Sequence, residues 1–495
     1  MLRRFGILLV LLSAAVASAD APRDRFTLGG YFRIMTRPDL QGGDGRLGFW
    51  NLYGRLLNEG PYAALEMKLD VLQEQPGRND VWASVHAKVE GGSVSTADIF
   101  NGNLGQYRVS QLYVKAGNIA LDHVTWQLGT LDTYFGDLGL YDAKPAEIFF
   151  DTVGLSGRYE HERVQLLVGV GDSGFLTKGA NYNTLLTGGG TLRVRIIPSH
   201  FELGVGGQYA AEPEVQGNRR APYQTPGITY EDYFRHEVAQ HFVEANPTVE
   251  QLFPNPQPAR ADSWKLIAYV GFGGVGPLLW NNFFINYLKR HPDGPYTETF
   301  NGRTFDIHVT EFTDERYQVN AGNEMQLRII PNLFDLNWGL LYGYHFNKDD
   351  QIAANDDNRL FYSTVVRGQI YVTSTLHILI EGSAARELSL NGNQYRLHRD
   401  SVFRSSGGIS DARGLEFGDS PERDTFQWKG GIVMSPLGRG IYTRPQLRLL
   451  YGGQYSNTQA AFGSGFVEDL SQYNVFVGPE RHFHHVISLE AEGWF

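Results

Sequence analysis

The stretch Phe483-His-His-Val-Ile-Ser-Leu-Glu-Ala-Glu-Gly-Trp-Phe495 decides the architecture. Phe483, Ile487, Leu489, Ala491, Gly493 and Phe495 fall on one side of an extended chain, and Val486, Ser488, Glu490, Glu492 and Trp494 on the other. Alternation with period two belongs to a strand whose faces meet different surroundings. Carboxylates on one face and aliphatic or aromatic groups on the other suit a strand set between lipid and a wet lumen. Val486 and His485 blur the pattern.

The same pattern recurs upstream. Between Ile441 and Tyr455, Thr443, Leu447, Leu449 and Tyr451 oppose Arg444, Gln446, Arg448 and Gln454. Arginines at alternate positions are costly against hydrocarbon, so their side is the lumen. From Tyr62 to Val71, Ala63, Leu65, Met67, Leu69 and Val71 point outward and Glu66, Lys68 and Asp70 inward; Phe26, Leu28, Phe32 and Ile34 oppose Tyr31 and Arg33. Two segments read as hairpins, Leu192 to Tyr209 and Leu327 to Tyr344, with Pro198-Ser199 and Pro331-Asn332 as short turns. The expectation is an all-β fold, a transmembrane antiparallel β-barrel of about 16–18 strands. Its short turns share one rim, and its long loops span about 132–149, 212–261, 388–422 and 457–481, with a short surface helix at Tyr230 to Glu244. A secreted sandwich or propeller has no need of this apolar-out, charged-in pattern along the whole chain.

Composition agrees. Aromatic residues make up 13% and there are 58 glycines, yet the mean hydropathy is -0.30, as expected of a barrel with aromatic girdles and a polar interior. With no cysteine, disulfides and thiolate metal sites are excluded. Arg3 and Arg4 precede an apolar run from Phe5 to Leu12 and the small residues Ala14 to Ala19. This is the pattern of a secretory signal over residues 1–19, leaving 20–495 as the barrel. The apolar run is well short of the roughly 20 residues a spanning helix needs. Without the signal the formal charge falls from -11 to -13, which weighs against a nucleic-acid partner. The expected location is the outer membrane of a Gram-negative bacterium, with membrane lipid and lipopolysaccharide as surroundings.

No catalytic set stands out, so neither enzymatic activity nor a cofactor is expected. His482, His484 and His485 read as a cluster at a strand start, and no metal is expected there, because metal sites need convergent ligands. Alternation accounts for Glu490 and Glu492 without an acid/base role. Gly188-Gly189-Gly190 is followed by no lysine, as a phosphate loop requires.

Several islands resemble the maltoporin family of sugar-selective porins. Ile441-Tyr-Thr-Arg-Pro-Gln-Leu-Arg-Leu-Leu-Tyr451 is similar to the family's Ser-Arg-Pro strand. Further matches are Gly30-Tyr31-Phe32-Arg33, Asn58-Glu59 followed by Tyr62, the Asp262 to Tyr287 hairpin, the Pro198 turn and the ending Trp494-Phe495. The islands keep the family's order and cover about a third of the chain. The resemblance implies a homotrimer of 18-stranded barrels, each narrowed by an inward-folded third loop and lined by an aromatic track for sugars. The apolar face of a sugar ring stacks on such side chains while its hydroxyls bond to a polar lane.

Carried over by position, Tyr31, Tyr62, Trp280 and Trp494 match the track. A further track tryptophan matches Val372, which alternation turns outward, leaving neighbouring Tyr371 as the inward candidate. Arg33 matches the polar lane directly and Arg55 with one residue gapped, and Arg108 competes with Ser110 for a third place. The family's tryptophan donated across the trimer has no counterpart between Gly92 and Gln106, where Phe100 is the only aromatic residue.

Between Gly129 and Asp151 the chain is about four residues longer than the family's anchors. This stretch sets Asp132, Asp137, Asp142, Glu147 and Asp151 against one cation, Lys144. Tyr134, Asp137, Tyr141 and Asp142 are its candidate constriction residues. Two expectations follow: passive passage of small polar solutes, above all sugars such as maltodextrins, or a general diffusion porin whose acidic loop faces wall arginines such as Arg444 and Arg448.

Overall fold

The computed structural model describes residues 25–38, 40, 47–48, 51–74, 79–92, 107–173, 185–212, 261–291, 296–300, 303–307, 316–347, 359–389, 422–457 and 483–495. The expected signal at 1–19, the surface helix at Tyr230 to Glu244, most of the 212–261 loop, His482, and the long loops after residues 389 and 457 lie outside the described residues.

The strands are β1 (Phe26–Thr36), β2 (Tyr62–Leu72), β3 (Trp82–Gly92), β4 (Tyr107–Gly117), β5 (Val124–Tyr134), β6 (Glu147–His161) and β7 (Val164–Ser173). Next come β8 (Leu185–Ile197), β9 (Phe201–Glu212), β10 (Ala261–Val275), β11 (Leu278–His291), β12 (Tyr296–Phe300) and β13 (Arg303–Ile307). The last are β14 (Arg316–Ile330), β15 (Phe334–Asn347), β16 (Arg359–Tyr371), β17 (Leu376–Ser389), β18 (Glu422–Met434), β19 (Gln446–Ser456) and β20 (Phe483–Trp494). β12 and β13 form a separate hairpin, and the other strands make one 18-stranded antiparallel sheet. The sheet closes on itself, because β1 pairs with both β2 and β20. Tyr31 lies opposite Trp494 and Arg33 opposite Glu492 at that seam. Closure leaves no strand at a free edge, although β4 pairs with β5 only over Tyr113–Gly117.

Alternation maps onto the wall as the sequence implies. Leu447, Leu449, Tyr451, Ile487 and Leu489 are exposed on the outside, while Gln446, Arg448, Ser488, Glu490 and Glu492 are buried inside. The hairpin turns also behave as their residues dictate. His200 N–H bonds to the Ile197 carbonyl and Leu333 N–H to that of Ile330, each at 3.0 Å. Ser199 and Asn332 take φ of 66° and 63°, so proline followed by a left-handed residue gives the type II turn pattern.

Among the described residues, two connections enter the barrel. Loop 3, residues 135–146, joins β5 to β6 and is shorter than the expected 132–149. Strand pairing continues through Thr133↔Ile148 and Tyr134↔Glu147, past a bulge that leaves residues 149–151 unmatched. Phe135, Leu138, Leu140 and Tyr141 of this loop bury themselves against Ile267, Tyr269, Phe284 and Val365 of the wall. Gly322 makes room for it: a Cβ there would sit 2.3 Å from Leu138 Cδ1.

Loop 1, the connection from β1 to β2, also turns inward, which the sequence reading did not anticipate. Leu47, Leu56 and Leu57 pack on Leu379, Val433, Leu450 and Val486. A short 3-10 turn at Asn51–Tyr53 sets Leu52 and Tyr53 against Phe361 and Ala385. Beneath it Lys429 Nζ donates to the Tyr53 carbonyl at 2.9 Å and pairs with Glu381 at 2.8 Å, while Arg367 holds the other Glu381 oxygen. Residues 441–445, expected to be strand, form a turn before β19. From this turn Tyr442 donates to Glu324, the same carboxylate that accepts the Leu140 amide of loop 3 at 2.9 Å.

Candidate functional site

Between loop 3 and the wall formed by β20 and β1 to β6 a cavity of about 540 Å³ remains open. The two inward loops fill the opposite side, so the residues on this wall line the space left open. Register brings them together from both ends of the chain. Trp494 faces Tyr31 across the seam, and Tyr62 lies diagonally beside Tyr31, because Arg33 is its direct partner. The Tyr31 ring stands edge-on to Trp494 at 5.6 Å and tilted to Tyr62 at 5.7 Å. Trp494 is 51% exposed, so its face is available inside the cavity. The Arg444 guanidinium lies 5.7 Å from its ring centre.

The tyrosine hydroxyls are committed to carboxylates. Tyr31 donates to Glu492 at 2.7 Å and accepts from Arg55 at 3.0 Å. Tyr62 donates to Glu90 at 2.7 Å. Fixing both hydroxyls orients the rings as a row along the wall.

Each lane cation has an acidic partner. Arg33 pairs with Glu59 and donates to the Gly60 carbonyl at 2.9 Å. Arg55 reaches Glu59 at 3.2 Å and Glu492 at 3.0 Å. Arg108 and Lys88 share Glu90 at 3.2 Å and 3.0 Å. Asp142 of loop 3 lies near enough to Glu59 to act on its charge. Burial pushes the Glu59 carboxyl up to about 8, against the pull of Arg33 and Arg55. For Asp142, burial acts in the same direction, but the nearby positive charges, Arg55 above all, outweigh it and hold this carboxyl below its usual range.

Of the residues singled out from sequence, Tyr31, Tyr62, Trp494, Arg33, Arg55 and Arg108 line this one cavity, as do Asp137 and Asp142. Trp280 does not. It stands on β11, donates to Gln326 at 2.9 Å and faces Tyr442 at 6.3 Å. Tyr371 points inward and Val372 outward, as alternation requires, yet Tyr371 is buried against Asp335, to which it donates at 2.8 Å. Tyr141 is also buried, bonded to Ser363, and serves as an anchor of loop 3. Tyr134 carries Lys144 over its ring at 4.2 Å.

Arg444 and Arg448 are not the arginines that face the acidic loop. Both are buried and turned onto Glu492, since the 441–445 turn and β19 lie beside β20. Arg33 and Arg55 occupy the facing role. His484 is buried inside and His485 stacks outside with Phe483 at 5.8 Å, so these two do not converge on one ion. Sequence reasoning passed over Glu59, Glu90 and Glu492 as site residues. Glu492 had a signal, an inward carboxylate level with inward arginines on the preceding strand.

No protein-family model and no curated protein sequence matches the chain. Among solved structures it is similar to the outer membrane protein OprD from Pseudomonas aeruginosa, at 8% identity over 97% of this chain and 96% of that one, with a TM-score of 0.42. It is similar to OccD3 (OpdP) of the same organism at 9% identity over 95% and 90%, with a TM-score of 0.39. OmpTdeltaL8, a loop deletion mutant of the outer membrane protein OmpT of Vibrio cholerae, aligns at 8% identity over 95% and 100%, with a TM-score of 0.37.

Proposed function

We propose that the barrel is a maltoporin-like outer-membrane channel for passive diffusion of small polar solutes, with sugars and oligosaccharides such as maltodextrins as its preferred cargo. The observation that carries this reading is the continuous row Trp494–Tyr31–Tyr62 beside Arg33, Arg55 and Arg108 in one open cavity. Ring faces offer a sliding apolar contact to a sugar, and the ion pairs offer hydrogen bonds on both sides of it. Export by a signal over residues 1–19, assembly as a homotrimer, and a seat among lipid and lipopolysaccharide belong to the same proposal. Its apolar outer face supports the membrane seat.

Ion current through the purified protein in planar bilayers is the test, with maltodextrins and then a panel of other sugars added. Current block by a sugar is expected; no block by any sugar removes the sugar-selective reading. Trp494→Ala and Tyr31→Ala should each weaken block by about 1 kcal/mol, roughly fivefold, with less change in open-channel conductance. Equal effects on both quantities would reduce the rings to shaping the pore. The acidic loop supports a second reading, a general diffusion porin with a transverse field, because Asp137 and Asp142 line the same cavity as Arg33 and Arg55. Conductance without block by any sugar is its signature.

A further inference from the structure

Below the cavity, toward the rim of short turns, the same wall carries a second group of rings and cations. Lys68 stands six residues beyond Tyr62 on β2, about 20 Å along the strand. It lies directly opposite His86 of β3, which in turn lies opposite Tyr113 of β4. Leu69, Leu112, Val114, Leu155 and Tyr159 are exposed on the outer wall, so alternation turns Lys68, Tyr113, Lys115 and Arg158 into the lumen. The His86 and Tyr113 rings stack at 4.7 Å with 14° between their planes, and His86 Nε2 meets Ser84 Oγ at 2.9 Å. Lys115 Nζ lies 5.1 Å from the centre of the Tyr113 ring. Lys115 shares its level with Gln127 and Ser156 of the next two strands. Arg158 follows Ser156 on the same face and donates to Thr133 Oγ1 at 3.3 Å.

The charge state of this group differs from that of the cavity above it. Arg33, Arg55, Arg108 and Lys88 are each neutralised by a carboxylate, and Lys68 is likewise paired with Asp70 at 2.9 Å. Glu66 stands one level higher, opposite Lys88. Among the described residues Lys115 and Arg158 have no acidic partner: one is held by a ring and the other by a hydroxyl. A ring face holds an ammonium in place through its quadrupole without cancelling its charge. Lys115 is therefore positioned yet still positive, and a guanidinium offers a planar fork that matches carboxylate and phosphate oxygens. We propose that Lys115 and Arg158, beside the Tyr113–His86 ring pair, form a second station on the solute path that receives a carboxylate or phosphate group, so that the preferred cargo is an acidic sugar. This rests on the channel reading above and names its substrate class. The sugar ring passes Trp494, Tyr31 and Tyr62, and its acid group then meets two cations that no protein carboxylate occupies. Both are only half-buried, so the contact is exchangeable and the solute can leave.

Block of ion current in planar bilayers by glucuronate and by glucose phosphate, each against glucose, tests this. In about 0.1 M potassium chloride the anions should block at roughly fivefold lower concentration than glucose. The gap should narrow at about 1 M, where the Debye length falls to about 3 Å. Lys115→Gln and Arg158→Gln should each shrink the preference while block by glucose persists, and Lys115→Arg should retain it. Preference for one anion alone assigns the station to that group, carboxylate or phosphate. Equal block by all three sugars, or a preference that survives both glutamine substitutions, overturns the station and leaves the sugar channel standing. Conductance that none of the three blocks overturns the sugar-selective reading itself, and the station with it.

Discussion

Loops 1 and 3 both fold into the barrel, but the chemistry that holds them differs. Loop 3 is seated by an apolar cluster of Phe135, Leu138, Leu140 and Tyr141 on Ile267, Tyr269, Phe284 and Val365. Loop 1 has its leucines too, yet its seat includes Lys429, Glu381 and Arg367, all buried, and a side-chain bridge from Asn58 to Gln427 at 3.0 Å. Apolar docking is non-directional and yields gradually as contacts are removed. Polar docking holds one position and fails abruptly, because a buried charge left without its partner is costly.

Breaking the polar seat should therefore have the largest effect. Lys429→Met leaves loop 1 without its ammonium contacts and Glu381 with Arg367 alone. A loss of about 3–5 kcal/mol is expected, measured by denaturant unfolding in micelles, together with a larger open-channel conductance as loop 1 comes free. Unchanged stability and conductance would mean that the leucines alone hold the loop.

The matched change in the apolar seat is Leu138→Ala. It should cost about 2–5 kcal/mol with the spread typical of cavity formation, and loop 3 should stay inside, so that conductance moves less than in the lysine variant. A smaller effect is expected for Tyr53→Phe, which removes only the hydroxyl donated to Glu387 at 2.5 Å. Its cost should be about 1–2 kcal/mol.

An effect of a different kind, read as a slope against pH, is expected at the junction of the two loops. The folded barrel raises the Glu59 carboxyl above its unfolded value, so folding favours the protonated form. That contribution is fully present below the unfolded carboxylate range and is lost progressively as pH rises toward about 8. Glu59→Gln should flatten the stability profile across this window; an unaltered slope would assign it to other groups.

Strand faces were legible because each depends only on its own residues. Tyr31, Arg33, Tyr62 and Trp494 were placed inward by alternation and meet in one cavity. Val486, which disturbs the alternation of the last strand, marks a dock. It is buried against Leu47 and Leu57, so an apolar residue on the lumen face signals that something covers it. Loop 1 carried a similar mark in Leu52, Tyr53, Leu56 and Leu57, two apolar pairs either side of Gly54-Arg55 between two strands. Trp280 and Tyr371 were placed on the lumen side correctly in parity, but parity says nothing of position around the circumference.

By itself the sequence determined the all-β class, the inward and outward faces of the strands and the short turns. These follow from side-chain alternation and local turn chemistry, which act over a few residues. Only the tertiary structure decided the seam register that sets Trp494 edge-on to Tyr31, the entry of loop 1, and the pairing of each lane arginine with its carboxylate. Those outcomes join residues as far apart as Asn58 and Gln427, or Arg55 and Glu492. Such pairings depend on where closure of the whole sheet brings each position, which no local pattern encodes.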